Sequence, residues 1–462
     1  MQACHGLVPV FDDPNLVSAA GLVAVMNLAE TAGLSTTLDE YLSVESPNAP
    51  IKARALVAAM LAGADSIDDT DLLRAGGTGR VLGPIRAPST LGTFLRAFTG
   101  GHALQLARVS RRMLTSLACR VPGLLGDDDL VFVDADDTIR EVHGHRKQGA
   151  GFGYSGVWGM NALLVTFSTP TGAPVIAEAA LRRGATGSGS SAGWHLARAM
   201  TTLHELLTPG EWSGSSDWGG RGVWVRADSA FCTAKTVQAV LRAGAWFSIT
   251  ARAWKSVNRA IAAIGEEAWT PIRYPRAVWD DQAEQWISEA EVAETGFVAF
   301  TSHPTAEQVA CRLVVRRVKR LNTVEGQDEL VPGWRYHAFL TNAPFDAVTT
   351  DRYHRGHAII EQVNAELKGG PLAHLPSGRF TANQAWLALA VIAFNLARAA
   401  ARAAGMATAR MATLTRTIIT VPARLARRAR RTVMHLPADW PWAPAFTQLW
   451  DTATGPPATA TA

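Results

Sequence analysis

Apolar positions recur every three or four residues through the first quarter of the chain. They then alternate or cluster in short runs, and later return to helical spacing. Leu22, Val25, Met26 and Ala29 form one helical stripe, and Ala55, Leu56, Ala59 and Met60 form another. Ser89 and Thr90 sit where an N-cap belongs, ahead of Leu91, Phe94, Leu95 and Phe98. Residues 14–120 therefore read as mostly helical. Short helices with tight Gly/Pro joints suit a helix-turn-helix-like unit, and equally any small helical domain.

From Leu130 the period changes. LVFVDAD, then NALLVTFSTPTGAPVIAEAALRRG, predicts a strand, a long strand, a turn at 169–172 and a third strand. A helix from Trp194 to Leu207, a strand at GVWVRAD, a helix from Thr233 to Ala243 and a strand at AWFSITA follow. This order indicates a mixed α/β layer with the sheet in the middle. Residues 255–350 carry strand-like pieces at 296–302, 311–320 and 335–342 and predict a β-rich insertion. From Asp351 to about Met434 the pattern is helical, and the tail from Thr452 is low-complexity and expected to be disordered.

The expected division is an N-terminal helical, DNA-binding domain at 1–120, a first core segment at 121–254 and the insertion at 255–350. Core helices at 351–400, a basic helical region at 401–451 and the tail at 452–462 complete it. The 462 residues exceed what one core holds, since single cores rarely grow past about 250–300 residues.

Net charge is only +4, but its distribution is uneven. From Leu367 to Ala438 there is no Asp or Glu, while Lys368 and ten arginines lie in the same stretch. A one-sign segment of this kind suits a polyanion. Arg424, Arg427, Arg428 and Arg431 predict one cationic face of a helix over 421–431. Four scattered cysteines form no CxxC pair, which argues against a zinc site or disulfide framework and fits a reducing cytoplasm. The run from Ala385 to Ala397 falls short of the roughly 20 residues a bilayer needs, so no membrane partner is expected.

Three carboxylates stand out: Asp136 in LVFVDADDT, Asp228 in GVWVRADSAF, and Glu361 opening EQVNAELK. A strand followed abruptly by Asp holds a carboxylate rigidly at a sheet edge. Three such groups brought together would cage hard divalent cations, which prefer oxygen ligands. The plainer reading of the first cluster is an Asx-turn after a strand, and that of Asp228 is a cap for the next helix.

In order and spacing, these pieces resemble the DDE-type insertion-sequence transposases, in the branch with a Tyr-Arg-Glu-Lys signature. The likeness covers roughly residues 15–400. It rests on Asp136-Asp137-Thr138, Tyr154-Ser155-Gly156 with Gly159, Arg226-Ala227-Asp228-Ser229, Thr341-Asn342, the segment His357 to Lys368, and Phe380-Thr381-Ala382-Asn383. The resemblance implies a ribonuclease-H-like mixed sheet with flanking helices. It also implies Asp136, Asp228 and Glu361 as catalytic groups binding two Mg²⁺ (Mn²⁺ could substitute), and double-stranded DNA as partner, at terminal inverted repeats and target. A homodimer would hold two DNA ends.

The family places its first Asp two residues before a Thr, which selects Asp136 over Asp134 and Asp137. Alternation puts Asp134 on the face of Asp136 as a supporting group, and leaves Asp137 pointing away to cap the turn with Thr138. Glu366, the rival of Glu361, lies about 140° around the helix, whereas Lys368 shares the face of Glu361, matching the family spacing. The family's Arg and Tyr positions hold His357 and His354 here, with Tyr353 and Arg355 offset. His357, Lys368, Arg355 and Tyr353 are therefore candidate DNA contacts. So are Arg146 and Lys147 in REVHGHRK, and Arg316 on a strand whose Arg312, Arg316 and Arg320 share a face. A catalytically inactive DNA-binding relative and a different metal-dependent nuclease are the alternatives.

Overall fold

The computed structural model describes residues 7–144, 146–208, 218–275, 277–282, 284–287, 290–319 and 334–456. The chain divides into two compact units: Met1–Leu124, Gly144–Gln148 and Glu366–Ala462 in one, Leu125–His143 and Gly149–Ala365 in the other.

The first unit begins with a short strand, β1 (Leu16–Val17), and helices α1 (Leu22–Thr31), α2 (Leu34–Tyr41), α3 (Ala49–Leu61), α4 (Thr78–Leu82), α5 (Pro88–Arg96) and α6 (Gly100–Arg120). Helix α5 starts one residue earlier than Ser89, at Pro88, whose missing N–H costs nothing in a first turn. Helix α6 opens with a capping box: Thr99 Oγ1 accepts from the His102 amide at 3.3 Å and His102 Nδ1 accepts from the Thr99 amide at 3.3 Å.

The second unit is a ten-stranded mixed sheet with helices on it. Its first strands are β2 (Leu130–Glu141), β3 (Gly151–Phe152), β4 (Trp158–Ser168) and β5 (Val175–Arg183). Then come α7 (Ala192–Leu207), β6 (Gly222–Ala227), α8 (Ala234–Arg242), β7 (Trp246–Thr250) and α9 (Lys255–Ala262). Strands β2, β6 and β7 are parallel, and β4 lies antiparallel between β2 and β5. Strand β2 does not stop at Asp136 as expected; it continues through Thr138 and Ile139, paired with β4 along its length.

The region 255–350 contributes β8 (Thr270–Pro271), the small pair β9 (Val278–Asp280) and β10 (Gln285–Ile287), then β11 (Ala290–Ala299), β12 (Val309–Lys319) and β13 (Trp334–Thr341). It is β-rich, but its main strands are not a sheet of their own. Phe339–Thr341 of β13 pairs antiparallel with Ser248–Thr250 of β7, so the open edge of the core sheet is extended. The predicted Arg320 lies outside the described residues. Helices α10 (Ala347–Arg355) and α11 (Ile359–Lys368) follow.

The chain then completes the first unit with α12 (Phe380–Ala403), α13 (Met411–Leu414), β14 (Ala423–Arg428), β15 (Arg431–His435) and α14 (Ala443–Thr454). Helix α12 is apolar on all sides, and that fits a buried element. Among the described residues it is the one helix long and apolar enough to cross a bilayer, and 94% of its apolar window is buried. Its Arg398 is neutralised by Glu366 at 2.7 Å.

Two expectations fail here. The helix expected over 421–431 is an antiparallel hairpin, β14–β15, completed by β1 into a three-stranded sheet. Ala423 and Leu425 are buried while Arg424 between them is exposed, an alternation that only a strand provides. The tail expected from Thr452 is helical to Thr454, because Ala453 is fully buried; residues 457–462 lie outside the described residues.

Candidate active site

The register of β2 on β6 sets the site. Asp134 lies opposite Arg226, and Ala135 opposite Ala227. Asp136 and Asp228 are the next residues on the two segments, near enough for the Asp228 charge to raise the Asp136 carboxyl. Asp228 directly follows β6, and its Oδ1 accepts from the Ala230 amide at 2.9 Å, so it also caps the turn that follows.

The acids here divide into two kinds. Asp134 is fully buried, and Arg226 meets it with a bidentate fork of 2.8 and 2.7 Å. His357 Nδ1 lies 2.9 Å from its Oδ1. Burial pushes the Asp134 carboxyl up, but the Arg226 and His357 contacts outweigh it and leave the group below the usual carboxylate range. Asp137 is part of the strand and caps no turn. It is held by Arg182, by Asn161 Nδ2 at 2.6 Å and by Ser188 Oγ at 3.0 Å.

Among the described residues Asp136 and Asp228 have no such cation. Burial pushes Asp136 up to about 6, and the negative charges of Asp228 and Asp137 add to it against the pull of His357 and the Asp137 amide. Burial also raises Asp228, with Asp137 pushing the same way and the Ala230 amide opposing. Two unneutralised, mutually repelling carboxylates are the donor chemistry that suits a divalent cation.

Helix α11 faces this pair. Asn364 Nδ2 donates to Asp136 Oδ2 at 2.9 Å, and the Asn364 Oδ1 is buried without a hydrogen-bond partner, a further oxygen beside the pair. His357, Glu361 and Asn364 follow at helical spacing on one stripe, and both its ends touch β2. Glu361 itself is exposed. Among the described residues no group of three or more His, Cys, Asp or Glu side chains is arranged to hold a metal ion. Glu366, tied to Arg398 and the Met411 amide, serves the fold.

Five of the candidate DNA contacts are engaged within the fold, His357 with Asp134 and Lys147 with the Leu375 carbonyl among them. Arg316 and Arg355 both pair with Asp351, a fully buried acid, at 2.7 and 2.8 Å. Tyr353 packs among Phe132, Trp224 and Phe345, and its carbonyl accepts from Arg226 at 2.7 Å. Arg312, on the same face as Arg316, pairs with Glu294 and the 343 and 345 carbonyls. Arg146 is exposed, Lys147 donates to the Leu375 carbonyl, and Lys368 ends α11 half-buried.

Sequence reasoning missed the roles of Arg226, Arg182 and Asn364. Nothing adjacent in the chain announces the two arginines, whose acids come from other strands. Asn364 was detectable as the polar residue one turn beyond Glu361. Gly356, between α10 and α11, is also required: an added Cβ would lie 2.6 Å from Arg226 Nη1.

Residues 7–454 match a family model described as transposase DDE domain, group 1. A comparison with curated proteins found no match.

Proposed function

The chain belongs to the DDE-domain transposases, and we propose that it cuts DNA at transposon ends and joins those ends to a target, with Asp136, Asp228 and Glu361 as its acidic groups. The family generally uses divalent metal ions and acts on DNA. The observation that carries the reading is the contrast within one sheet end. Asp134 and Asp137 are neutralised by arginines, while among the described residues Asp136 and Asp228 are not.

Two Mg²⁺, replaceable by Mn²⁺, would be held by these carboxylates, supplying Lewis-acid stabilisation to the attacking and leaving oxygens of a phosphodiester displacement. Asn364 fixes the orientation of Asp136 through its amide. Asp134, locked by Arg226 and His357, ties the start of α11, the helix that carries Glu361, to β2. His357, Lys368, Arg146 and Lys147 are the proposed phosphate contacts. A homodimer or larger assembly would hold two ends together.

The test is nicking of supercoiled plasmid by the purified chain with Mg²⁺ or Mn²⁺. Asp136→Asn and Asp228→Asn should each lower the rate on the order of 10³-fold or more, while DNA retention on a filter persists. Retained nicking by either variant would sink the assignment. Glu361→Gln separates its own case: an unchanged rate removes it from the trio. The exposed position of Glu361 favours a second reading as a DNA-binding relative that does not cut. Nicking by the unaltered chain rules that out.

A further inference from the structure

The hairpin β14–β15 presents an unusual surface. Its register places Arg424 opposite His435, Ala426 opposite Val433, and Arg428 opposite Arg431. Alternation gathers these six side chains on one face, while Ala423 and Leu425 on the other face are buried. The outward face is therefore a frame of three arginines and His435 around a small apolar centre, Ala426 and Val433.

Two features of this ribbon run against folding stability. Arg428 and Arg431 are directly opposed, and like charges in that position repel. The two-residue turn between them is Ala429-Arg430, with φ of 42° and 68°, where Gly, Asn or Asp is normally needed. Arg424 is paired with Asp13 at 3.0 Å. Arg427, Arg428, Arg430 and Arg431 are exposed and have no acidic partner among the described residues. A cationic face that the fold leaves uncompensated, at some cost, is a surface awaiting an anion.

We propose that this face enters the major groove of double-stranded DNA and reads base edges. The proposal rests on the reading of the chain as a DNA transposase and adds a recognition element to it. The dimensions select the groove: two strands about 4.8 Å apart, with side chains on both flanks, fit a groove about 12 Å wide and exceed one about 6 Å wide. From Arg424 to Arg428 the strand advances about 14 Å, the length of about four base pairs. Arg428 and Arg431 carry the planar fork that meets guanine O6 and N7, and Ala426 and Val433 suit a thymine methyl between them. Arg427, on the opposite face, and Arg430, in the turn, are placed for phosphates, which position without specifying.

The experiment uses the full chain and a random pool of double-stranded oligonucleotides, selected for binding and sequenced. The probes are then the enriched duplex, the same duplex with 7-deazaguanine for guanine, and random duplex. The unaltered chain should enrich a guanine-containing motif of about four base pairs, weakened about tenfold or more by 7-deazaguanine. The double variant Arg428→Lys with Arg431→Lys keeps the charge and the opposed pair, so its thermal unfolding should match the parent. It should lose preference for the motif by about tenfold or more, while random-duplex affinity changes by less than about threefold because phosphate attraction remains. A variant that enriches the same motif with the same preference overturns the proposal and leaves the transposase reading intact. So does indifference to 7-deazaguanine. Failure of the unaltered chain to bind any duplex overturns both.

Discussion

The end of strands β2 and β6 and the ribbon β14–β15 are opposites. At the first, Asp136 and Asp228 are acids without a paired cation among the described residues. At the second, four arginines are cations without an anion among the described residues. Four other acids among the described residues are each met by arginine. Asp134 has Arg226, Asp137 has Arg182, Glu366 has Arg398, and Asp351 has both Arg316 and Arg355. Acids withdrawn from solvent are thus commonly paired here, whereas the buried cations Lys52 and Arg120 meet only neutral oxygens of Ser46, Thr452 and Gly455. The partners proposed for these two places have the opposite sign: a divalent cation in one, DNA in the other.

The comparison breaks if compensated and uncompensated acids respond alike to substitution. The largest effect should come from Arg226→Met. Removing one partner of a buried pair leaves Asp134 unpaired in the sheet, which costs about 3–5 kcal/mol. The sign with pH is specific. In the parent, Asp134 titrates below its ordinary range, so it adds stability above that range which is lost only as pH falls through the lowered value. In the variant burial is unopposed by the guanidinium, so the loss should be greatest at pH 8 and shrink toward pH 4. Urea denaturation at both values measures it. A uniform loss would mean that the Arg226 contact to the Tyr353 carbonyl, rather than the ion pair, was the stabilising part.

Asp136→Asn should act in the other direction. Its carboxyl titrates at about 6 in the folded protein against an ordinary 3.8. Between those values the folded state binds more protons than the unfolded one, so stability falls as pH rises through that window. Above it the charged group costs on the order of 1–3 kcal/mol. Without divalent metal, the variant should be more stable than the parent by that amount at pH 8 and no more stable near pH 3.5. An equal gain at both values, or a loss at pH 8, would place Asp136 with the compensated acids. The same substitution that stabilises the chain should abolish nicking.

Much of the sheet end was legible because its signals are local. Apolar β-branched runs ending in VDAD and VRAD mark two strands and their carboxylates within a few residues. The error there was to end β2 at Asp136. Asp disfavours strands, and only the β4 pairing partners, some 25 residues on, carry the strand forward. The compensating arginines were illegible for the same reason. Arg226 finds its acid 92 residues away, and Arg316 finds Asp351 35 residues away. The ribbon was the most misleading segment. Arg424, Arg427, Arg428 and Arg431 satisfy helical spacing, and the alternation that betrays a strand covers only a few residues. The strand that completes its sheet, Leu16–Val17, lies near the other end of the chain.

The smallest expected effect sharpens the ribbon's half of the comparison by separating its strain from its charge. Ala429 sits at φ 42°, where a Cβ is unfavourable and glycine is not. Replacing a residue in the left-handed region with Gly relieves about 1–2 kcal/mol of backbone cost. Greater freedom of the unfolded chain takes back part of that, leaving a gain of about 0.5–1 kcal/mol. Ala429→Gly should therefore raise the midpoint of chemical denaturation slightly, and it leaves every arginine in place. If the opposed Arg428 and Arg431 are what the ribbon offers to DNA, motif preference should be unchanged in this variant. A loss of preference together with a gain in stability would mean that the strained turn itself sets the pose of the ribbon in the groove. The left-handed Ala429-Arg430 pair would then belong to recognition as much as the guanidiniums it displays.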